Sequence, residues 1–507
     1  MIRLREALGL SQRELAQEFH VAPAAVALWE RGNRTLPGPA LRLLRLYESA
    51  VGIEPEGAAP PGWLETSPLS RGLELTASAL ELGAHWAWLG LRGMLAAEGE
   101  RDAIRARVQQ AAARRLVQRL GKMKGLSMKL AQMLSYVDPR YFAQAPSVVS
   151  MLQASATPMA PSLVNGVMLS SFGKLPHELF AEWRPEPIAV GSIGQVHRAR
   201  LRDGRAVAVK VQHPGIRSAL EADLENVDIL DGAYCILFSG QRRGVIAREL
   251  ADRVAEECDY QVEASHQEAF RQAFASRPDI VVPRTFPELC SKRVLTSELL
   301  TGVPFDRFCR EAGDAERRRA AETIWDFTME SLLVHGLFNG DPHPGNFLFQ
   351  PGGVAFLDFG FVRRLSPAFV DTWRATIRWT LGEGSHSELR TLATDMGLVA
   401  DPLRFDFAYH LEMARLLCEP WRSGGTYRFD HEYLRRLWKS LFVQNPNRGV
   451  TDVSSELFFL HRLPFGIYSV LAQLGAESDW RRRVEAALSR GDVAPRPPGR
   501  RAARRAP

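Results

Sequence analysis

The residues best suited to chemistry fall in two clusters between Ile188 and Gly360. In the first, Ala189-x-Gly191-Ser192-x-Gly194-x-Val196 is followed by Val207-Ala208-Val209-Lys210. A glycine loop lets backbone amides approach phosphate closely, and a lysine on the following strand can reach the α- and β-phosphates of a nucleotide. A glycine loop alone would also be explained as a turn between strands. The Val-Ala-Val-Lys string at that distance favours phosphate binding, which makes Ala189, Gly191, Ser192, Gly194, Val196 and Lys210 the candidate ATP-binding residues. In the second cluster, His335-Gly-Leu-Phe-Asn-Gly-Asp341-Pro-His-Pro-Gly-Asn346 precedes Phe356-Leu-Asp358-Phe-Gly360. This order supplies a base, Asp341, and two metal ligands, Asn346 and Asp358, as phosphoryl transfer requires. Amide and carboxylate oxygens suit Mg²⁺ or Mn²⁺ completed by phosphate and water. His343 is expected to pack the loop, not to act in chemistry.

These residues need strands and loops to hold them. Apolar and polar residues alternate on both sides of Asp203-Gly204, which predicts a hairpin whose first strand begins at the Ala189–Val196 stretch and whose second ends at Lys210. An apolar strand leads into Asp358, and helical sequence resumes at Pro367-Ala368-Phe369. No Ala-Pro-Glu string follows, so little chain remains for a peptide-binding segment.

At 507 residues the chain exceeds a single core, since one core rarely grows past roughly 250–300 residues. Hydrophobic residues make up 46% and charged ones 24%, ordinary values for a globular protein. The net charge of +6 is too modest for a dedicated nucleic-acid protein, and part of it sits in a Pro/Ala/Arg tail at 491–507 that cannot bury a core. Five widely spaced cysteines with no CxxC pair fit buried thiols in a reducing cytosol, not a disulfide or zinc framework. The N-terminus opens on an amphipathic pattern unlike a signal peptide. No run of ~18 uncharged apolar residues is present, so no transmembrane segment is expected. Leu80–Leu95 is broken by Glu81, His85 and Arg92 and reads as a helix lying against protein or a membrane surface.

Residues 1–50 carry a separate grammar. Ser11-Gln12-Arg13-Glu14 is a capping box, Leu15, Ala16 and Phe19 supply an inner face, and a second helix carries Val26 and Trp29 inward. The string from Leu8 to Arg34 resembles the helix-turn-helix of Cro/repressor-type regulators. In that family the second helix of the motif enters the major groove. Here Ala22, Pro23, Ala24 and Ala25 stand where base-reading groups are expected and offer no bidentate hydrogen bonds. Gln12, Arg13, Arg31, Asn33 and Arg34 are the candidate DNA contacts, suited to phosphates; a structural or protein-docking role is the alternative.

Only the first glycine of the kinase pattern G-x-G-x-x-G-x-V is replaced here, by Ala189. From about residue 115 to 480 the sequence resembles the UbiB (AarF-type) atypical kinases, associated with ubiquinone and other isoprenoid-lipid metabolism. Lys-Met-Lys-Gly-Leu-Ser-Met-Lys129-Leu-Ala-Gln132 looks like that family's K-x-G-Q motif, with Ala131 in place of its glycine. Glu-Glu257-Cys-Asp259 looks like its E-x-D motif. The resemblance implies that Lys129 pairs with Glu257, docking the extra helices over the nucleotide site, and that Glu263 is the helix partner of Lys210. Without the family, Glu257 and Asp259 would read as an exposed helix face. The family's alanine-rich loop is here Ala189-Val190-Gly191-Ser192, and Gly191 is expected to free backbone angles that the alanines restrict.

The expected fold is α+β: a helix-turn-helix domain at 1–50, a linker at 51–70 and a helical extension at 71–180. A two-lobed kinase-like body then spans 181–300 and 301–490. The expected function is Mg-ATP binding for ATP hydrolysis or small-molecule phosphorylation, supporting quinone or lipid metabolism. The expected partners are a lipid or quinone-precursor ligand, with peripheral contact at the inner face of the membrane from the cytoplasm. A protein kinase acting on partner proteins and a DNA-binding regulator with a nucleotide-sensing body are the alternatives.

Overall fold

The computed structural model describes residues 158–191, 193–225, 256–422, 424–451 and 462–493, together with Ser11, Gln12, Arg13, Ala16, Val26, Trp29 and Glu30. Lys129, Gln132, Ser192, Arg31, Asn33, Arg34, Cys235, the 51–70 linker and the 494–507 end of the tail lie outside the described residues.

Helix α1 (Pro161–Phe172) precedes a meander of β1 (Glu182–Val190), β2 (Gly194–Arg200) and β3 (Ala206–Gln212). Val207, Val209 and Val211 alternate along β3, and the pleat sends all three to one face. There they pack with Leu163, Val164, Val167 and Met168 of α1 into one apolar cluster. Lys210, one residue out of phase, is left on the opposite face.

The Asp203-Gly204 turn forms as the alternation requires, with Gly204 at φ +90° and its N–H donating to the Leu201 carbonyl at 3.0 Å. The strand count corrects the sequence expectation. Ala189 lies near the end of a separate strand, β1, and the strand of the hairpin begins at Gly194. Pro185 and Pro187 hid β1 from a period-two reading. It tolerates them as an edge strand whose register shifts between Trp183, Pro187 and Ala189.

Helices α2 (Ile216–Glu225) and α3 (Tyr260–Ala273) follow, and the chain then divides its strands between two sheets. β4 (Ile280–Val281) joins the lower sheet, while β5 (Val294–Glu298) returns to pair with β3, giving the upper order β1-β2-β3-β5. The lower sheet has the order β4-β9-β8-β6, from β6 (Val303–Pro304), β8 (Phe347–Gln350) and β9 (Gly353–Phe356). A two-stranded ribbon pairs β7 (Leu337–Asn339) with β10 (Val362–Arg364).

The rest of the lower lobe is helical apart from a short antiparallel ribbon that pairs Tyr427–Arg428 with Glu477–Ser478. Between β6 and β7 lie α4 (Phe305–Glu311) and α5 (Asp314–Leu333). After β10 come α6 (Pro367–Arg378), α7 (His386–Asp395), α8 (Phe407–Leu417), α9 (His431–Trp438), α10 (Arg462–Leu474) and α11 (Trp480–Val493). Glu316 accepts the Gly313 N–H at 3.0 Å, and Asp314 adds a second acid to the first turn, where the helix dipole favours negative charge. Trp325 on α5 is fully buried among Trp421, Phe429, Tyr468 and Trp480. Arg277, between α3 and β4, bonds Asp326 at 3.1 Å and also Glu330, and Arg483 of α11 reaches Asp326 at 3.0 Å. This charged seam ties the two lobes' connection to α5 and α11.

After Gly360 the chain enters β10 within two residues, and Ser366 then caps α6 by accepting the Phe369 N–H at 3.3 Å. The segment after Asp358-Phe-Gly360 is therefore as short as the sequence implied. No helix among the described residues is long and apolar enough to cross a membrane. Cys258 and Cys418 are buried, Cys290 and Cys309 half-buried, and all four are free thiols. Near the N-terminus Ala16, Val26 and Trp29 are buried, as the amphipathic pattern required. Gln12 and Arg13 are exposed, and Gln12 donates to Glu30 at 2.5 Å.

Candidate active site

The roof of the cleft is set by Lys210. Its strand pairs it with Val196 on one side and Leu295 on the other, which fixes the direction of the side chain. The ammonium donates to both oxygens of Glu263, at 2.8 and 3.0 Å, and lies 3.5 Å from Asp358 Oδ2. It also sits 5.0 Å above the Tyr260 ring. Glu263 lies one turn into α3, which begins where the Asp259 carboxylate accepts the Gln261 N–H at 3.0 Å. Asp259 is thus the cap of the helix that presents Glu263, and Glu257 just before it is buried; neither belongs to an exposed helix face.

One cation faces two carboxylates here. Burial pushes the Glu263 carboxyl up to about 7, with Lys210 pulling it back and Asp358 adding to the rise. Burial also works against the Lys210 charge, yet Asp358 and Glu263 outweigh it and hold the ammonium well above its ordinary range. Lys210 therefore stays charged. Its single positive charge leaves an excess of negative charge that a divalent cation would neutralise.

The floor is a chain of short-range hydrogen bonds. Asn339, at the end of β7, donates to the Asp358 carbonyl at 2.9 Å and accepts the Asp341 N–H at 3.1 Å. Asn346 donates through Nδ2 to the Asp341 carbonyl at 3.0 Å, which turns its Oδ1 into the atom suited to a cation. Asp358 Oδ1 accepts the Gly360 N–H at 2.9 Å. His343 accepts the Gly345 N–H at 2.9 Å through Nδ1, the loop-packing role its sequence context suggested. Phe359 is fully buried against Phe270 of α3, with ring centroids 5.1 Å apart, and Phe270 rests on Phe327 of α5 at 5.3 Å. This aromatic column locks Asp358 beneath the helix that carries Glu263.

The two loop glycines differ in kind. A Cβ on Gly194 would lie 2.4 Å from the Val211 carbonyl oxygen and 2.6 Å from the Tyr260 hydroxyl. Gly191 has its nearest such neighbour, the Gly194 carbonyl oxygen, at 3.4 Å, and its φ is not left-handed. The expectation that Gly191 frees special backbone angles is therefore corrected: the close approach that demands glycine is at Gly194.

Among the described residues no group of three or more His, Cys, Asp or Glu is arranged to hold a metal ion. A preformed all-protein metal cage is not what Asn346 and Asp358 make; two oxygen ligands fit Mg²⁺ delivered with phosphate oxygens. Several residues that build the site carried no recognisable sequence signal. Asn339 joins Asp341 to Asp358, Tyr260 underlies Gly194 and Lys210, and Gly466 of α10 lies so close to Pro342 that a Cβ would come within 2.3 Å of that ring. Asn339 lay in a string already singled out and Tyr260 directly follows the Glu257-x-Asp259 motif, whereas Gly466 is visible only through contacts between distant elements.

The ABC1 atypical kinase-like domain model matches residues 151–383, and a helix-turn-helix model matches residues 1–56. A Caenorhabditis elegans protein, "Atypical kinase coq-8, mitochondrial", is 31% identical over 73% of this chain and 50% of its own length. A Rattus norvegicus protein, "Atypical kinase COQ8B, mitochondrial", is 29% identical over 72% of this chain and 70% of its own length. The chain thus spans only half of the nematode relative. A solved structure of Mycobacterium tuberculosis Rv3197 with erythromycin superposes with a TM-score of 0.56 at 29% identity, covering 78% of this chain and all of the other. The lysine, helix glutamate and Asp-Phe-Gly of the cleft lie inside the matched span, so from 151 to 383 the chain matches the ABC1 atypical kinase-like domain, in keeping with its resemblance to the UbiB (AarF-type) kinases.

Proposed function

We propose that the cleft binds ATP with Mg²⁺ or Mn²⁺ and uses it for hydrolysis or for phosphorylation of a small molecule, in support of isoprenoid quinone or lipid metabolism. One observation carries the proposal: Lys210 is bonded to Glu263 and stands 3.5 Å from Asp358 without any rearrangement. In this arrangement Lys210 orients the α- and β-phosphates, while Gly194 and the backbone around Gly191 cover them. Asn346 and Asp358 hold the cation, which spreads the charge of the phosphates. Asp341 accepts the proton of the attacking hydroxyl, whether of water or of an acceptor. The few residues between Gly360 and α6 leave no platform for a peptide, which favours a small acceptor over a protein. The link to quinones and lipids, and to the inner face of the membrane, rests on the family.

Mg-ATP should raise the melting temperature of the wild type and have little effect on Asp358→Asn, which removes a charge that the metal needs. Equal stabilisation of the two proteins would sink the assignment. ATP turnover with and without anionic lipid or a quinone-precursor mimic then separates hydrolysis from transfer.

The N-terminal segment supports a second, separate reading as a DNA-binding head. The helix-turn-helix match and the exposure of Gln12 and Arg13 favour it. Because phosphate contacts outnumber base-reading groups, binding to duplexes should be weak and fall steeply with salt. Tight, salt-resistant binding to one sequence in a mobility-shift titration would contradict that expectation.

A further inference from the structure

We infer that the lower lobe contains a second ligand site, an apolar cavity that takes a small hydrocarbon group. The cavity holds about 90 Å³. Met329 and Leu332 of α5, Ile377 of α6, Leu389 of α7, Met396 just beyond α7 and Met413 of α8 contribute to its wall. None of Lys210, Asp341, Asn346 or Asp358 borders it, so it is distinct from the nucleotide cleft.

Three observations point to a ligand and not to an ordinary packing gap. The first is the size. Native interiors hold few voids larger than a water molecule, and an unfilled cavity costs stability in proportion to its volume. An engineered cavity of roughly 150 Å³ lined by aliphatic and aromatic side chains stays dry and binds benzene or xenon. The cavity here is smaller, and three flexible methionines in its wall can adjust to a guest.

The second is the chemistry of the wall, most of whose polar members are already engaged, the Trp373 indole N–H being the exception. The Thr380 hydroxyl donates to the Ile377 carbonyl at 2.6 Å and accepts the Trp421 indole N–H at 3.2 Å. His410 packs tilted against Phe405, with centroids 5.5 Å apart. A water molecule needs two to four polar partners and would find few here, so the guest must be apolar.

The third is the backbone. Trp379–Glu383 and Lys439–Val443 both form wide π-type turns, and each contributes a wall residue, Thr380 from one and Leu441 from the other. Such turns are rare, cost helix regularity and concentrate at functional sites. Both border the same void, one closing its helix on the left-handed Gly382 (φ +97°) and the other at the end of α9, so the helix ends there leave room that regular turns would take. The guest that fits is a branched four- or five-carbon group or a small aromatic ring without charge.

The test uses the full chain. Melting temperatures are measured with 2-methyl-2-butene, benzene and xenon, with tert-butanol as a polar control of similar shape. Ala393→Leu and Ala414→Leu fill the cavity from two different helices, and two variants keep the test decisive if one fails to fold. The hydrocarbons and xenon should raise the wild-type melting temperature by several degrees while tert-butanol does not. Each folded variant should melt higher unliganded and lose the response. A shifted xenon NMR resonance in the wild type, absent in the variants, would locate the guest. Overturning results would be no thermal response and no shifted resonance in the wild type, or an undiminished response in a folded, cavity-filled variant.

Discussion

On the roof of the cleft Lys210 finds Glu263 across 53 residues of sequence, whereas on the floor Asn339 reaches Asp358 across 19. The roof is held by charge between elements that fold separately, a sheet and a helix. The floor is held mostly by neutral hydrogen bonds within one ribbon and its loops. A buried charge pair is costly to leave half-made, while each neutral hydrogen bond contributes modestly and its neighbours share the strain. The same reaction geometry therefore rests on one brittle support and one distributed one.

Removing a member from each side should expose that difference. Glu263→Ala leaves a buried ammonium with only Asp358 beside it, and should cost about 3 kcal/mol, the lower end for breaking a buried pair, and abolish ATP turnover. Asn339→Ala removes two neutral hydrogen bonds and should cost about 1–2 kcal/mol with partial loss of turnover. Chemical denaturation and turnover on the same preparations check both values. Equal costs would mean that the roof pair is not a stronger constraint than the floor.

Within the roof, the two loop glycines sharpen the comparison. Gly194→Ala drives a Cβ into the Val211 carbonyl and the Tyr260 hydroxyl and should destabilise by about 1–3 kcal/mol. Gly191→Ala meets nothing closer than 3.4 Å and should change stability by no more than about 0.5 kcal/mol. A change in turnover for Gly191→Ala at an unchanged melting temperature would then report on phosphate handling alone. A large drop in its melting temperature would show the loop to be tighter than this geometry.

The smallest expected effect lies on the far face of the same sheet. His197 is fully buried, donates through Nδ1 to the Arg184 carbonyl at 3.0 Å, and accepts from the Gln195 amide at Nε2, 2.8 Å away. Gln195 cannot simply flip, because its Oε1 already accepts the Met159 N–H at 2.7 Å. Burial holds the His197 pKa below its ordinary 6.5, with the Arg184 carbonyl and Glu186 opposing. A depressed histidine pKa means that the unfolded chain binds the proton more readily. The contribution is complete above pH 6.5 and is lost as pH falls from there toward the folded value. Melting temperatures of wild type and His197→Gln between pH 7.5 and 5.5 should converge on acidification. Parallel curves would assign the acid sensitivity elsewhere.

Local features were legible because their causes are local. The period-two run around Asp203-Gly204 produced the hairpin, and the spacing of Asp341, Asn346 and Asp358 placed all three on one hydrogen-bonded floor. Pro185 and Pro187 masked β1, since a proline argues against a strand until the sheet order shows that the strand is an edge. The partnership of Lys210 with Glu263 was accessible only through the family's order of motifs, since no spacing rule joins a strand to a later helix.

The sequence alone determined which atoms are available: a strand lysine, oxygen ligands at fixed intervals, glycines where a backbone must come close, and a second helix-rich segment ahead of them. Tertiary structure alone decided which glycine is indispensable, that Asp259 caps the helix of Glu263, that Gly466 must make room for Pro342, and that two π-type turns border an apolar void. The physical reason is range. Hydrogen bonding and alternation act over a few residues and leave a periodic trace. Close packing and charge pairing act across space, where any number of residues can intervene, and so leave none.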